Sequence, residues 1–421
     1  MKAKIMATKQ IKTTIAVIGG GLAGLTMTAC LAARGIDVVC VDPAAPIDAA
    51  GGALHKGYDG RTTAISYGSQ VILNAAGIWD DLAAQACPIE KIQILDGPDS
   101  THYLDFDSAE VEGRTFGWIL ENRFIRSALY QRIKEQKHAR LIAPDSVVDF
   151  EIHAEGADVI LKSGAVISCE LIIGADGRRS FTREWAGIEA RSWSYNQTAA
   201  VCTVFHENPH DHIAVEHFRS EGPFAILPMC DDENGRHRSS VVWTDHGGKK
   251  AKSPPEWADD VFMTGLAARF PAFYGALSLA GPRYAYPLGL VHAHAYTAPR
   301  MALVAEAAHG IHPIAGQGLN MGFRDIGALL DLIAAGDHEI GTAEFLKAYE
   351  KSRRFDNLAM AGATDGLNRL FSTKNPTISA ARRLGMRGIA RTKIIKRFFM
   401  TQAMGTAGIL PAMIADKKDA A

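Results

Sequence analysis

Three features predict an α/β fold. A β-branched run, TIAVIG at 14–19, enters a glycine-rich turn and then an apolar helical pattern. Residues 186–282 hold stretches of alternating polarity such as TAAVCTVFH and SSVVWT, and residues 361–421 read as a helical tail. Together they describe a Rossmann-like nucleotide-binding domain with an inserted antiparallel β-sheet domain and a C-terminal helical region. The 421 residues suffice for two or three such units. With 45 Lys and Arg against 46 Asp and Glu, net −1, the chain lacks the basic excess of a duplex binder, so no nucleic acid partner is expected. Six cysteines without a CxxC pair fit a reducing compartment. No apolar stretch follows the early lysines as in a signal peptide, and none reaches the roughly eighteen residues of a spanning helix. A cytoplasmic location is expected.

The first element is the nucleotide turn. TIAVIG suits a strand buried on both faces, GGGLAG follows, and LTMTACLAARG continues as a helix before a second strand, IDVVCVD. Gly19, Gly21 and Gly24 match GxGxxG in that context: a tight turn, an approach of bare backbone to a pyrophosphate, and a helix lying close on the sheet. The helix N-terminus turns unpaired N–H groups and a partial positive charge toward the phosphates. Asp42 ends the second strand, where an acid accepts hydrogen bonds from ribose hydroxyls. The ligand at this point is NAD or FAD.

Two later segments bear on that choice. SCELIIGADGRRS at 168–180 is a strand followed by an exposed Asp-Gly turn, and MALVAEAAHGIHPIAGQGLNMG at 301–322 is a strand, a Gly/Pro loop and a helix start. The second places Glu306 at the carboxyl end of a buried strand, where open α/β sheets bind ligands. Pro313, Gly316 and Gly318 then bend the chain so that a helix beginning near Leu319 directs its N–H groups back at the ligand. A reduced flavin carries negative charge that such a helix end stabilises.

GGGLAG, DGRTTAIS at 59–66, ENRFIRSAL at 121–129, GADGRRS at 174–180, HPIAGQGLNMGFRDIGAL at 312–329 and YEKSRRFDN at 349–357 span nearly the whole chain. This set resembles the aromatic-hydroxylase class of FAD monooxygenases, and within it the ubiquinone-biosynthesis flavin hydroxylases. The resemblance implies that Gly19, Gly21 and Gly24 cradle the FAD pyrophosphate and Asp42 the adenosine ribose. Arg61 and Arg126 match arginines against the flavin and its diphosphate. Asp176 and Gly177 match a turn that touches FAD and serves NADPH or NADH as reductant, and Pro313, Gly316, Gln317, Gly318, Leu319 and Asn320 line the isoalloxazine ring. One departure stands out: the family's Gly-Asp, whose acid holds a ribityl hydroxyl, is Ala305-Glu306 here. An added methylene and an added methyl in a packed site predict looser FAD binding.

The resemblance also implies the reaction: O2 adds at the reduced flavin to give a C4a-hydroperoxide, whose terminal oxygen passes to the ring of a polyprenylated phenol in ubiquinone biosynthesis. No catalytic acid or base stands out. Two alternatives compete, a flavoprotein oxidoreductase without oxygen insertion and a non-catalytic interaction subunit retaining the fold. No metal is expected: His309 and His312 have HxxH spacing but no third ligand, and His206, His210, His212 and His217 read as a polar surface loop.

The expected division is an FAD-binding domain of 1–85, 103–185 and 283–360, a substrate domain of 86–102 and 186–282, and a helical region of 361–421. From Gly366 to Ala415 the chain has no acid and nine cations: Arg369, Lys374, Arg382, Arg383, Arg387, Arg391, Lys393, Lys396 and Arg397. Their apolar neighbours suggest amphipathic helices that rest peripherally on the inner face of an anionic membrane, or dock on the chain's own acidic body or on a partner. Other ubiquinone-biosynthesis proteins and a second copy are the candidate protein partners.

Overall fold

The computed structural model describes residues 10–46, 60–97, 101–111, 114–219, 221–245, 254–312, 316–371, 373, 375–408 and 410–419. Pro313, expected at the ring, lies outside them.

A six-stranded sheet runs in the order Thr297–Ala298, Met301–Leu303, Leu171–Gly174, Ile15–Ile18, Val38–Val41, Ala139–Ile142. All neighbours are parallel except the first pair. Its central strands are apolar on both faces because both are covered. Ile15, Val17, Val38, Cys40, Leu171 and Ile173 pack toward the helices, whereas Ala16, Ile18, Val39, Val41 and Ile172 pack on a flanking four-stranded sheet. The helices on the first side are α1 (Leu22–Ala33), α2 (Asn122–Glu135) and α3 (Gln317–Ala335).

The middle of the chain forms a nine-stranded, largely antiparallel sheet. It extends past the boundaries expected from sequence. Thr101–Asp107 pairs with Lys91–Asp96, and Tyr284–Ala293 runs along Ala190–His206, so both strands join this sheet. Alternation separates its faces: Val215, Ile226, Val241 and Trp243 build a core with the helix Asp259–Ala267, while their neighbours face a cavity.

Helix α4 (Ala343–Phe371) leads into α5 (Pro376–Arg391), α6 (Lys393–Ala403) and α7 (Ala412–Asp419). The cations of this tail turn in part to the body, as Arg382 and Arg383 share Asp96 and Lys396 meets Glu110 at 2.5 Å. The apolar side chains Leu384, Ile394 and Phe398 are exposed.

Candidate functional site

One cavity of about 1540 Å³ lies between the two sheets and the tail helices, larger than the space a single small ligand needs. Of the residues expected from sequence, Gly19, Gly21, Asp42, Arg61, Arg126, Asp176, Gly177, Glu306, Gly316, Gln317, Gly318, Leu319 and Asn320 line it. Gly24 does not. A Cβ at Gly24 would sit 1.9 Å from the Gly19 carbonyl oxygen, so this glycine lets α1 lie against the turn, and Gly19 itself takes φ +108°. At Gly21, Gly177 and Gly318, by contrast, a Cβ would meet no atom within 4 Å. These three bare positions face open cavity, which is what a closely approaching dinucleotide requires.

Two helix N-termini border the cavity. Neither α1, after Gly21, nor α3, after Gly316 at φ +62°, has a side-chain cap or an acid in its first turn. Their leading N–H groups remain as donors for anionic groups. Asp42 accepts the Gly20 N–H at 2.5 Å, and Arg126 reaches the Gly20 carbonyl at 3.5 Å. Arg61 stacks over Tyr286. Asp176 accepts hydrogen bonds from Ser180 and from the Thr182 backbone and hydroxyl, so its side chain fixes the following turn. The Glu306 carboxylate, half exposed, pairs with Arg178 at 2.8 Å.

Asn320, expected at the ring, also holds the site together, and behind it stand Asp325, Arg353 and Asn357, which lie in the quoted motifs without a role assigned from sequence. Asn320 binds the Ala64 carbonyl and Ser66 N–H, tying α3 to the strand Thr62–Ser66. Beneath it, buried Asp325 accepts from His309 at 2.6 Å and from Ala305 N–H, Arg353 and Asn357, each at 3.0 Å. Burial alone would raise the Asp325 carboxyl. His309 and the Arg353 guanidinium outweigh it and hold the group far below the usual carboxylate range. Ala305 is thereby held at φ +51°, a left-handed conformation natural to the glycine the family has there. An acid and arginines spaced to face the inside of helices were the available signal.

Sequence reasoning also missed Glu216. It lies on the strand Ile213–Phe218, on the cavity face of the large sheet. Its side chain is partly buried where it lines the cavity, and loss of solvent there pushes the carboxyl up to about 7.

The histidine group is corrected. His206, His210 and His217 are buried on or beside strands of the large sheet, not in a surface loop; each bonds a backbone carbonyl, and His206 also bonds Ser239. Burial lowers all three. Cys87, His210 and His212 gather closely, yet His210 donates through Nε2 to the Met229 carbonyl and accepts the His212 N–H at Nδ1. Both of its nitrogens are committed. His309 and His312 diverge, one to Asp325 and one to Gln197.

The FAD binding domain family matches residues 12–361. The chain is 40% identical to ubiquinone hydroxylase UbiL of Rhodospirillum rubrum, covering 94% of this chain and 90% of that one. It is 33% identical to 3-demethoxyubiquinol 3-hydroxylase of Escherichia coli, over 93% and 98%. Among solved structures, p-nitrophenol 4-monooxygenase PnpA of Pseudomonas putida superposes with TM-score 0.76 at 16% identity, covering 95% and 99%, which establishes the shared fold. The chain thus belongs to the ubiquinone-biosynthesis flavin hydroxylases, within the family defined by the FAD binding domain.

Proposed function

We propose that this chain is an FAD-dependent monooxygenase that hydroxylates the aromatic ring of a polyprenylated phenol in ubiquinone biosynthesis, using O2 and NADPH or NADH. The observation that carries this reading is a single cavity that begins at two glycine-bordered helix ends and continues over an apolar sheet to the tail helices. The turn Gly19–Leu22 would hold the FAD diphosphate, with Arg126 alongside, and Asp42 the adenosine ribose. Glu306 would hold a ribityl hydroxyl, and Arg61, Gly177 and the backbone of Gly316–Asn320 would border the ring system. When bound and reduced, FAD supplies the oxygen-activating chemistry. The chain's own residues orient the cofactor and, through the α3 N–H groups, favour negative charge at the ring.

The far side of the cavity matches the substrate class. Ile92, Leu104, Phe106 and Leu227 of the sheet face Met360, Leu367, Met386 and Phe399 of α4–α6, a hydrocarbon lining that excludes water and suits a prenyl chain. No helix among the described residues is long and apolar enough to cross a membrane. Exposed Leu384, Ile394 and Phe398 beside the basic residues of the same helices support docking of this face on an anionic lipid surface, from which such a substrate is drawn. Ile394→Glu with Phe398→Glu is expected to cut sedimentation with anionic vesicles by about tenfold or more while flavin content stays unchanged. Equal sedimentation would overturn the lipid reading.

The test of function is the flavin-loaded protein with NADPH and a prenylated phenol under 18O2. Substrate-stimulated oxidation with label in the product is expected. Turnover without label would favour an oxidoreductase that does not insert oxygen, and no bound flavin after FAD addition would favour a non-catalytic role.

A further inference from the structure

The cavity floor is almost entirely hydrocarbon, and Glu216 interrupts it. Ala214, Glu216 and Phe218 alternate along their strand and line the cavity, and Val215, which also borders it, is part of the core behind the sheet. Directly across from Glu216 stand Ile94 on one neighbouring strand and Ala225 on the other, both also lining the cavity. Both are apolar, and the charged group next along this face, Asp96 across from Phe218, is already paired with Arg382 and Arg383. Among the described residues its carboxyl has no hydrogen-bond or ion-pair partner, in contrast to Arg382 of the same cavity, which is neutralised by Asp96.

An ionisable group buried in apolar surroundings without a partner is costly, and proteins keep such groups chiefly where a ligand completes them. A polyprenylated phenol presents the converse problem. It is hydrocarbon except at its ring substituents, and its hydroxyl cannot enter an apolar cavity without losing a hydrogen-bond acceptor. Each unsatisfied group is what the other lacks.

Resting on the hydroxylase reading above, we propose that Glu216 is the site that receives the phenol hydroxyl: it accepts the hydroxyl's hydrogen bond, which orients the ring, and takes its proton as the ring is oxygenated. The phenol O–H bond breaks and a Glu216 O–H bond forms. The electron pair stays on the substrate oxygen and makes the ring a better nucleophile. When the ring regains aromaticity, Glu216 returns its proton to that oxygen, and the carbon that gained one atom of O2 loses its hydrogen to water as a proton; the O–O bond breaks, and the second atom leaves as water with the two electrons that NADPH or NADH gives up.

The experiment uses flavin-loaded protein with 2-geranylphenol and its methyl ether, which keeps the hydrocarbon and lacks the donor. Binding is read from the perturbation of flavin absorbance, and turnover is followed separately. Wild type is expected to bind the phenol about tenfold or more tighter than the ether. Glu216→Leu, with flavin content unchanged, should lose that preference. Glu216→Gln should keep it, with KM within a few-fold, and lose kcat by about 10²–10⁴-fold, since it accepts the hydrogen bond and not the proton. An undiminished preference in Glu216→Leu, or wild-type kcat in Glu216→Gln, would overturn the proposal. If neither probe perturbs the wild-type flavin, the substrate reading itself falls and takes this assignment with it. The glutamine variant preserves size and polarity, so it decides the matter even if the leucine variant does not fold.

Discussion

The two helix ends that border the cavity achieve the same exposure of backbone donors by different means. At α1 the arrangement is local: Gly19 turns, Gly21 leaves space, and Gly24 lets an apolar helix sit on its own turn, with all of Leu22–Ala32 buried. At α3 it is held from a distance. Asn320 ties the helix to Thr62–Ser66, and Asp325 binds the turn at Ala305 through its N–H, the adjoining His309 and the long helix α4 through Arg353 and Asn357. An end fixed by glycine geometry should respond to changes in space, and an end fixed by buried charge should respond to changes in charge.

The largest effect is therefore expected from Asp325→Asn. It leaves Arg353 and His309 facing a neutral amide in a buried site, and breaking such a network typically costs about 3–5 kcal/mol. Urea unfolding at pH 7 measures it, together with loss of bound flavin. The sign with pH follows from the depressed folded pKa. The aspartate's contribution is fully present above the ordinary unfolded value, near ~4, and erodes as pH falls from there toward the folded value. The gap between wild type and variant should narrow below about pH 4. A variant as stable as wild type, with flavin retained, would mean that α3 is held by packing alone.

The glycines of the first turn give the next contrast. Gly24→Ala drives a methyl into the Gly19 carbonyl and should cost about 1–3 kcal/mol in urea unfolding, because α1 must lift from the sheet. Gly21→Val should leave that stability near wild type and abolish flavin binding, since its side chain would occupy only cavity space. Flavin retained in Gly21→Val would remove the turn from the cofactor site.

The same contrast explains what could be read from the sequence. The first turn was legible because each of its requirements is met by a glycine at a fixed offset within a strand-turn-helix, and nothing remote takes part. Gly316 and Gly318 were legible as a bend. Asp325, Arg353 and Asn357 stood in recognised motifs, but pairing them needs α3 and α4 side by side, a fact of tertiary packing. Glu216 carried still less signal. In IAVEHF it reads as a polar strand residue facing solvent, and only the cavity over that face gives it a functional setting. The histidines failed in the opposite sense, a polar run in sequence in which His210 and His217 bond carbonyls remote along the chain, those of Met229 and Gly97.

The smallest effect is expected at Ala305, and it separates strain from charge at the second end. A left-handed alanine costs about 1–2 kcal/mol relative to the right-handed conformation, which Ala305→Gly would relieve. Glycine gives back about 0.4–1 kcal/mol through the greater freedom of the unfolded chain. It also deletes a methyl packed over Gly322 of α3, where no second Cβ would fit, forfeiting burial of about 0.8 kcal/mol. These terms nearly cancel, so the variant should unfold within about 0.5 kcal/mol of wild type, far less than the Asp325→Asn change made next to it. A gain well above 1 kcal/mol would show that backbone strain, rather than the buried carboxylate, sets the position of this turn, and the two helix ends would then obey the same local rule.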